Sequence, residues 1–325
     1  MNECWTVWQQ QVEEAVDRLV PVDAYPPRLW QAMRYTAVGG GKRLRGSLVL
    51  ASCAIIRGTE TGDQAQALPA AVAVELVHAY SLIHDDLPLM DDDDWRRGKP
   101  TNHKVFGPAM ALLAGDGLLA RAFEVLTMPL REVNPSADRS SSGAADPRAE
   151  VELQWAWVRE LSQAAGPSAL VGGQAMDWLL EQEGATLPAD ERAGALEYVH
   201  RHKTGALIRA SVRMGALAGL PPEQRRKADE DETMVRLTVY GAELGLAFQI
   251  TDDLLDEVGR PEQTGKGVGR DRARGKVTYV SIYGLEAAQQ AAARALARAQ
   301  EAVQPLGKRA QPLVELAQGL LARRK

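Results

Sequence analysis

Apolar residues recur three and four positions apart through most of this chain, and strict apolar/polar alternation is scarce. That spacing lines apolar side chains along one face of a 3.6-residue helix. The stretches 192 to 219, 233 to 255 and the alanine-rich 285 to 302 carry it well, in Ala, Leu, Glu, Gln and Arg, which lose little on entering a helix. Turn signals separate the predicted helices at Gly39-Gly40-Gly41, Gly58 to Gly62, Gly98 to Pro100, Pro221-Pro222 and Gly259 to Gly269. One segment, residues 131 to 150 (REVNPSADRSSSGAADPRAE), has no apolar period and is rich in Ser, Ala, Pro and charge; it predicts a mobile loop between helices. The helical style is the same on both sides of it and no repeat of fixed length occurs. The pattern therefore predicts an all-α chain with one domain spanning residues 1-325.

Composition narrows the partners. The 325 residues, 45% of them hydrophobic, suffice for a buried core. A net charge of −5 and a pI near 5.7 argue against a nucleic-acid surface spread over the fold, so any polyanion site must be local. Cys4 and Cys53 are the only cysteines and form no C-x-x-C, which suggests neither a disulfide framework nor structural zinc and fits a reducing cytoplasm. The N-terminus lacks a basic region followed by a continuous apolar segment, so no secretory signal is expected. No membrane span is expected either, because the longest apolar candidate, residues 67 to 80, is interrupted by Glu75.

Charge is concentrated in a few places. Residues 81 to 104, SLIHDDLPLMDDDDWRRGKPTNHK, hold six aspartates between Asp85 and Asp94, followed at once by Arg96, Arg97 and Lys99. So much like charge costs stability unless cations or basic neighbours neutralise it. A solvating tail would not be entered from Ser81-Leu82-Ile83 and interrupted by Leu87, Pro88, Leu89 and Met90. Downstream, FQITDDLLDEVG supplies Asp252, Asp253 and Asp256. In a helix Asp252 and Asp256 stand one turn apart on one face, with Cβ atoms roughly 5–6 Å apart, a spacing that can share a divalent ion. Phe248, Ile250, Leu254 and Leu255 flank them, and carboxylates among apolar neighbours need partners. Hard oxygen donors without accompanying His or Cys spacing favour Mg²⁺, or Mn²⁺, which completes its shell with water and substrate phosphate.

Cations make the same point. GGGKRLRG offers Lys42 and Arg45, DDWRRGKP offers Arg96 and Arg97, HRHKTGALIRAS offers Lys203 beside Thr204, and TGKGVGRDRARGK offers Lys266 and Lys276. Guanidinium forks and ammonium point charges are what phosphate groups require. Neither G-x-x-x-x-G-K-[ST] nor G-x-G-x-x-G is present, so a P-loop or dinucleotide fold is not expected.

The order GGGKRLR, HAYSLIHDDLPLMDDDDWRRGKPTNHKVFG, GGQAMD, HRHKTGALI, FQITDDLLD and GKGVGRDRARGKVTY resembles the short-chain trans-prenyl diphosphate synthases, of the bacterial farnesyl type. The resemblance covers about residues 35 to 285. It implies an isoprenoid-synthase helical bundle around a central cavity, a homodimer, and head-to-tail joining of isopentenyl diphosphate to dimethylallyl or geranyl diphosphate, giving farnesyl diphosphate. A geranylgeranyl synthase is the alternative.

By the same resemblance, Asp85, Asp91 and Asp252 hold three Mg²⁺ ions on the allylic diphosphate and Asp256 assists through water or positioning. The first motif is D-D-x₄-D, and Pro88 within it should keep Asp85 and Asp91 off one regular helix. Lys42, Arg45, His78 and Arg97 match the isopentenyl diphosphate site. Arg96, Lys203 and Lys266 match the allylic diphosphate contacts, and Thr204 and Gln249 sit beside the reacting carbons. Tyr80 and Ser81, five and four residues before Asp85, are placed to limit chain length. Ionising an allylic C–O bond needs no side-chain nucleophile, which agrees with the lack of a convincing Ser/His/Asp triad. Val280 departs from the family, which usually has proline there, and residues 131 to 150 look longer than the usual connection. A terpene cyclase would not need the second cationic set, and a non-catalytic partner subunit would typically lose one or both acidic motifs.

Overall fold

A computed structural model of the chain describes residues 3–59, 64–134, 146–184, 186–258 and 276–322. Helices dominate: α1 (Glu3–Leu19), α2 (Pro27–Ala37), α3 (Leu44–Arg57), α4 (Leu68–Asp85), α5 (Asn102–Phe106), α6 (Pro108–Thr127), α7 (Leu130–Val133), α8 (Pro147–Ala165), α9 (Leu170–Glu183), α10 (Ala189–Val199), α11 (Gly205–Gly219), α12 (Pro222–Arg225), α13 (Glu232–Val258), α14 (Tyr279–Tyr283), α15 (Leu285–Val303) and α16 (Gln311–Ala322). Among the described residues the only strands are two-residue β1 (Trp95–Arg96) and β2 (Lys99–Pro100), paired antiparallel. The all-α class follows from the apolar period. The helical stretches foreseen at 192 to 219, 233 to 255 and 285 to 302 are present, running from Ala189 to Gly219, from Glu232 to Val258 and from Leu285 to Val303.

The expected loop at 131 to 150 needs correction at both ends. Arg131 to Val133 belong to α7, and Pro147 to Glu150 open α8. Local chemistry starts α8 early: the Asp146 carboxylate accepts a hydrogen bond from Arg148 N at 3.0 Å, and Pro147 gives up no needed donor in a first turn. The Glu150 side chain also accepts from Leu130 N at 3.0 Å. Residues 135–145 lie outside the described set.

The chain divides into two compact units, Met1–Leu161 with Ser211–Met234, and Ser162–Ala210 with Val235–Lys325. In the first, α4 is the core helix. Leu68 to Val77, Ala79, Tyr80 and Ile83 are buried, and α4 packs against α1, α3 and α6. By length and composition this helix, with the turn from Ala65, is apolar enough to cross a membrane, contrary to the expectation from uninterrupted runs, yet 78% of its apolar window is buried inside the fold. Its buried acid, Glu75, is held by partners. Glu75 accepts a hydrogen bond from Gly46 N at 2.9 Å and lies 3.5 Å from the buried Arg43 guanidinium, so a partnered charge sits where an unpaired one would be prohibitive.

In the second unit Leu180 of α9 and Leu196 and Val199 of α10 form a small core, covered by Met176, Leu187, Val277, Tyr279 and Ile282. Thr278 caps α14: its hydroxyl accepts from Ser281 N at 3.1 Å while the Ser281 hydroxyl accepts from Thr278 N at 2.8 Å, a reciprocal capping box. Val280 thus falls in the first turn of a helix, where proline is tolerated as readily as valine, so the departure from the family leaves the local shape alone.

Candidate functional site

The first aspartate-rich segment begins where α4 stops. Asp85 is its last helical residue and Asp86 its C-cap, so Asp85 and Asp91 do not share one regular helix, as expected from Pro88. The chain then curls tightly: Met90 N donates to Leu87 O at 2.8 Å, Asp92 N to Leu87 O at 3.1 Å, and Asp91 N to Asp85 O at 2.8 Å. That last bond sets the two aspartates side by side despite the four residues between them, both half-buried.

The second member of the doublet has another task. Asp86 is buried and takes a forked contact from Arg96, whose Nε lies 2.8 Å from each carboxylate oxygen and whose Nη2 lies 2.6 Å from Oδ1. Arg96 Nη2 is also 3.8 Å from Asp93 Oδ2. Burial opposes the guanidinium charge, but Asp86, Asp85 and Asp93 outweigh it and hold Arg96 above its ordinary range. Sequence reasoning gave Arg96 to the substrate; the structure also ties it to Asp86.

Arg97 points elsewhere. It occupies the hairpin between β1 and β2 with Gly98, at φ of +54° and +75°, the pairing of left-handed residues that a tight two-residue turn requires. Its guanidinium reaches the glycine-rich loop before α3 and donates to Gly40 O at 3.1 Å. A Cβ on Gly41, itself at φ +93°, would stand 2.7 Å from Arg97 Nη1, so only glycine permits that approach. The loop that carries exposed Lys42 is thereby joined to Arg97.

His78, half-buried on α4, senses this gathering. Burial, then the charges of Arg45, Arg97, Arg96 and Arg43, hold its imidazole well below the usual histidine range. It is therefore neutral at pH 7, a hydrogen-bonding group among guanidinium groups. Arg97 is itself lowered, first by burial and further by Arg43 and Arg96. Arg43 is paired with Glu75 and Arg96 with Asp86, yet the positive charges of all four arginines are felt at His78, the local positive potential that an anion site uses.

Two residues along α4, Tyr80 is buried and meets His84 edge to face at 5.0 Å. His84 Nε2 lies 3.0 Å from Leu112 O on α6. Ser81 donates to His78 O at 2.9 Å.

The second unit supplies a separate set. The helix register loosens at His200–Thr204 into a turn of π-helix, a feature that recurs at functional sites. It carries Lys203 and Thr204. Gly173 of the GGQAMD segment backs it: a Cβ there would lie 2.3 Å from Lys203 N. Lys203 Nζ lies 2.6 Å from Asp177 Oδ2, and Lys276 Nζ lies 3.4 Å from the same oxygen and 4.0 Å from Glu181. Burial works to raise the Asp177 carboxyl, but Lys203 and Lys276 overcome it and hold it below the usual range. Asp177 went unassigned from sequence, although it is the one charged residue of GGQAMD. Lys266 lies outside the described residues.

Thr204 Oγ1 donates to Gln249 Oε1 at 2.8 Å, and Gln249 Nε2 is 3.5 Å from Asp253 Oδ1. Asp253 is buried, 3.2 Å from His200 Nε2, and accepts from Tyr279 N at 2.8 Å. Its neighbour Asp252 is exposed, and Asp256 half-buried. Each aspartate doublet is thus divided the same way: the second residue is anchored in the fold and the first keeps accessible surface.

An all-helical chain with two such doublets, each beside its own cations, has the layout of an isoprenoid-synthase fold. The polyprenyl synthetase family profile matches residues 26–311, and the chain belongs to that family. It is 44% identical over 283 residues, 87% of this chain and 84% of the relative, to a farnesyl diphosphate synthase of Geobacillus stearothermophilus. It is 40% identical over 317 residues, 97% of this chain and 79% of the relative, to geranylgeranyl pyrophosphate synthase 9 of Arabidopsis thaliana. Among solved structures, an FPP/GFPP synthase from Zymomonas mobilis superposes with a TM-score of 0.76 at 36% identity, covering 98% of this chain and 97% of that one.

Proposed function

We propose that this chain is a Mg²⁺-dependent prenyltransferase that joins isopentenyl diphosphate head to tail to dimethylallyl and then geranyl diphosphate, with farnesyl diphosphate as its main product. The observation that carries this reading is the gathering of Arg45, Arg97, Arg96 and Arg43 around neutral His78, on the helix that ends at Asp85. An enzyme handling one diphosphate does not need Arg45 and Arg97 beside His78 in addition to Arg96. The 44% identity to a farnesyl diphosphate synthase supports the C15 product.

Asp85, Asp91 and Asp252, helped by Asp256, would hold three Mg²⁺ ions. The donor set fits, since oxygen-only carboxylates suit Mg²⁺ and the Asp91 N to Asp85 O bond puts two of them together. When bound, the metal neutralises charge developing on the departing diphosphate. Lys203, Lys266, Lys276 and Arg96 add fixed positive charge to the same leaving group, where electrostatic preorganisation acts most strongly. Lys42, Arg45, His78 and Arg97 hold the isopentenyl diphosphate. Thr204 and Gln249, locked to each other, border the allylic carbon. The isopentenyl double bond attacks the allylic cation, and the proton then lost from the adjacent carbon passes to the released diphosphate. No protein nucleophile takes part.

The family match runs across both compact units, which supports one catalytic domain built around a central cavity. We place the enzyme in the cytoplasm as a homodimer; neither Cys4 nor Cys53 forms a disulfide in the structure. The second reading is a geranylgeranyl synthase, favoured by the Arabidopsis thaliana relative at 40% identity. Incubating the purified chain with Mg²⁺, isopentenyl diphosphate and dimethylallyl diphosphate, followed by chromatography of the dephosphorylated products, should give farnesol. A C20 alcohol as main product would transfer the assignment to the second reading. No prenyl product with any allylic primer would make the chain a non-catalytic subunit.

A further inference from the structure

The six-aspartate run contains more acids than the proposed substrate ions use. Asp92 and Asp94 are exposed, and with the buried His103 of α5 they place one carboxylate oxygen each and an imidazole nitrogen within 4.8 Å of one another. Two exposed acids by themselves mean little; the histidine changes that. Its side chain is 3% exposed, and its Nε2 has no hydrogen-bond partner. Its other nitrogen is committed. Thr101 Oγ1 donates to Asp93 O at 2.6 Å and lies 3.2 Å from His103 Nδ1, so the hydroxyl oxygen is left to accept from Nδ1–H. In the neutral ring that places the proton on Nδ1 and the lone pair on Nε2. Nε2 faces Asp92 Oδ1 at 4.0 Å.

We propose that Asp92, Asp94 and His103 form a divalent transition-metal site, distinct from the Mg²⁺ positions on the substrate and independent of the prenyltransferase reading. One imidazole and two carboxylates suit Zn²⁺, Co²⁺ or Mn²⁺ better than Mg²⁺, and three protein ligands leave a coordination position for water. Metal–ligand distances of about 2.0–2.2 Å require the three donors to close by roughly 1 Å. The two aspartates can do so because their side chains are solvated, at 65% and 58% exposure. Lys104 Nζ, 2.6 Å from Asp94 Oδ1, is also solvated, and an exposed pair of that kind yields readily to a cation. A Thr–His–metal relay of this form orients the ligating ring. The ion would tie the turn after Asp91 to α5, across the hairpin that presents Arg96 and Arg97.

The test uses the full-length chain, stripped with chelator and equilibrated with Co²⁺ in large excess of Mg²⁺ without any diphosphate. Metal analysis and the Co²⁺ absorption spectrum should show one tightly retained Co²⁺ per chain. Asp92→Asn, Asp94→Asn and His103→Gln should each weaken retention at least about tenfold, while Asp85→Asn and Asp252→Asn leave it unchanged. Asp92→Asn is the decisive variant, since asparagine accepts the φ of +49° at this exposed position and keeps the fold if His103→Gln does not. No retained ion, retention unaffected by Asp92→Asn, or retention lost in Asp85→Asn would each overturn the assignment.

Discussion

Two adjacent aspartates look alike in sequence, yet Asp85 and Asp86 are held by different physics, and substitutions should separate them. Asp86 neutralises Arg96 in a largely buried fork. Asp86→Ala removes the forked partner of that guanidinium, leaving only the longer Asp93 contact, and should lower unfolding stability by about 3 kcal/mol, read from urea midpoints. Asp85 ends a helix, where an acid opposes the macrodipole; Asp85→Ala should leave stability within about 1 kcal/mol and lower kcat about a thousandfold. Equal stability losses would remove the distinction. His78 gives a pH signature. Its imidazole is held below the ordinary value of 6.5, so below pH 6.5 the unfolded chain binds a proton that the folded chain refuses. Stability from this group is therefore full above pH 6.5 and falls as pH drops toward the folded value, with a slope of no more than about 1.4 kcal/mol per pH unit. His78→Gln should flatten the wild-type stability curve in that window, as followed by urea unfolding at successive pH values.

At the scale of elements, the π-turn at His200–Thr204 is the device that aims Lys203 and Thr204, and α9 holds it in place through Gly173. A methyl group there would meet the Lys203 backbone at 2.3 Å, too close for side-chain adjustment alone. Gly173→Ala should therefore cost about 1–3 kcal/mol as overpacking does. It should also lower kcat beyond what the folded fraction explains, because both Lys203 and its bond to Asp177 must move. Denaturant melts and kinetics on the same preparation decide this; a stable variant with wild-type kcat would mean that the turn tolerates displacement. The β1–β2 hairpin acts similarly for Arg97, with two left-handed residues turning the guanidinium toward the Gly40 carbonyl.

For the whole molecule, the question is what stops chain growth. Tyr80 lies five residues before Asp85 on α4, about 7–8 Å along the helix at 1.5 Å per residue, and its ring is buried against His84. We propose it as the floor under a growing prenyl tail, the group that limits product length. Tyr80→Ala should shift the main product from C15 to C20 or longer, seen by chromatography of the dephosphorylated alcohols. Losing a buried aromatic ring costs about 3–5 kcal/mol, so the assay belongs at a temperature where the variant is folded. A mutant that still stops at C15 would place the limit on another helix.

By itself the sequence determined the helical class, the helical stretches near 192 to 219, 233 to 255 and 285 to 302, the two acidic motifs and the short basic segments beside glycine turns. These are local matters, since an apolar period of 3.6 and a proline or glycine act on their own neighbourhood. It also foretold that Asp85 and Asp91 would not share one regular helix. What each charge does was decided only by tertiary contacts. Asp86 meets Arg96, Asp253 meets His200 and the Tyr279 amide, and Asp177 meets both Lys203 and Lys276. None of these pairings is written in a spacing, because Coulomb energy depends on distance and dielectric after folding. Glu75 shows the same divide. Along the chain it interrupts an apolar run and argues against a membrane span; in the fold it is a buried partner for Arg43 and the Gly46 amide, the contacts that let an otherwise apolar helix keep one charge in the core.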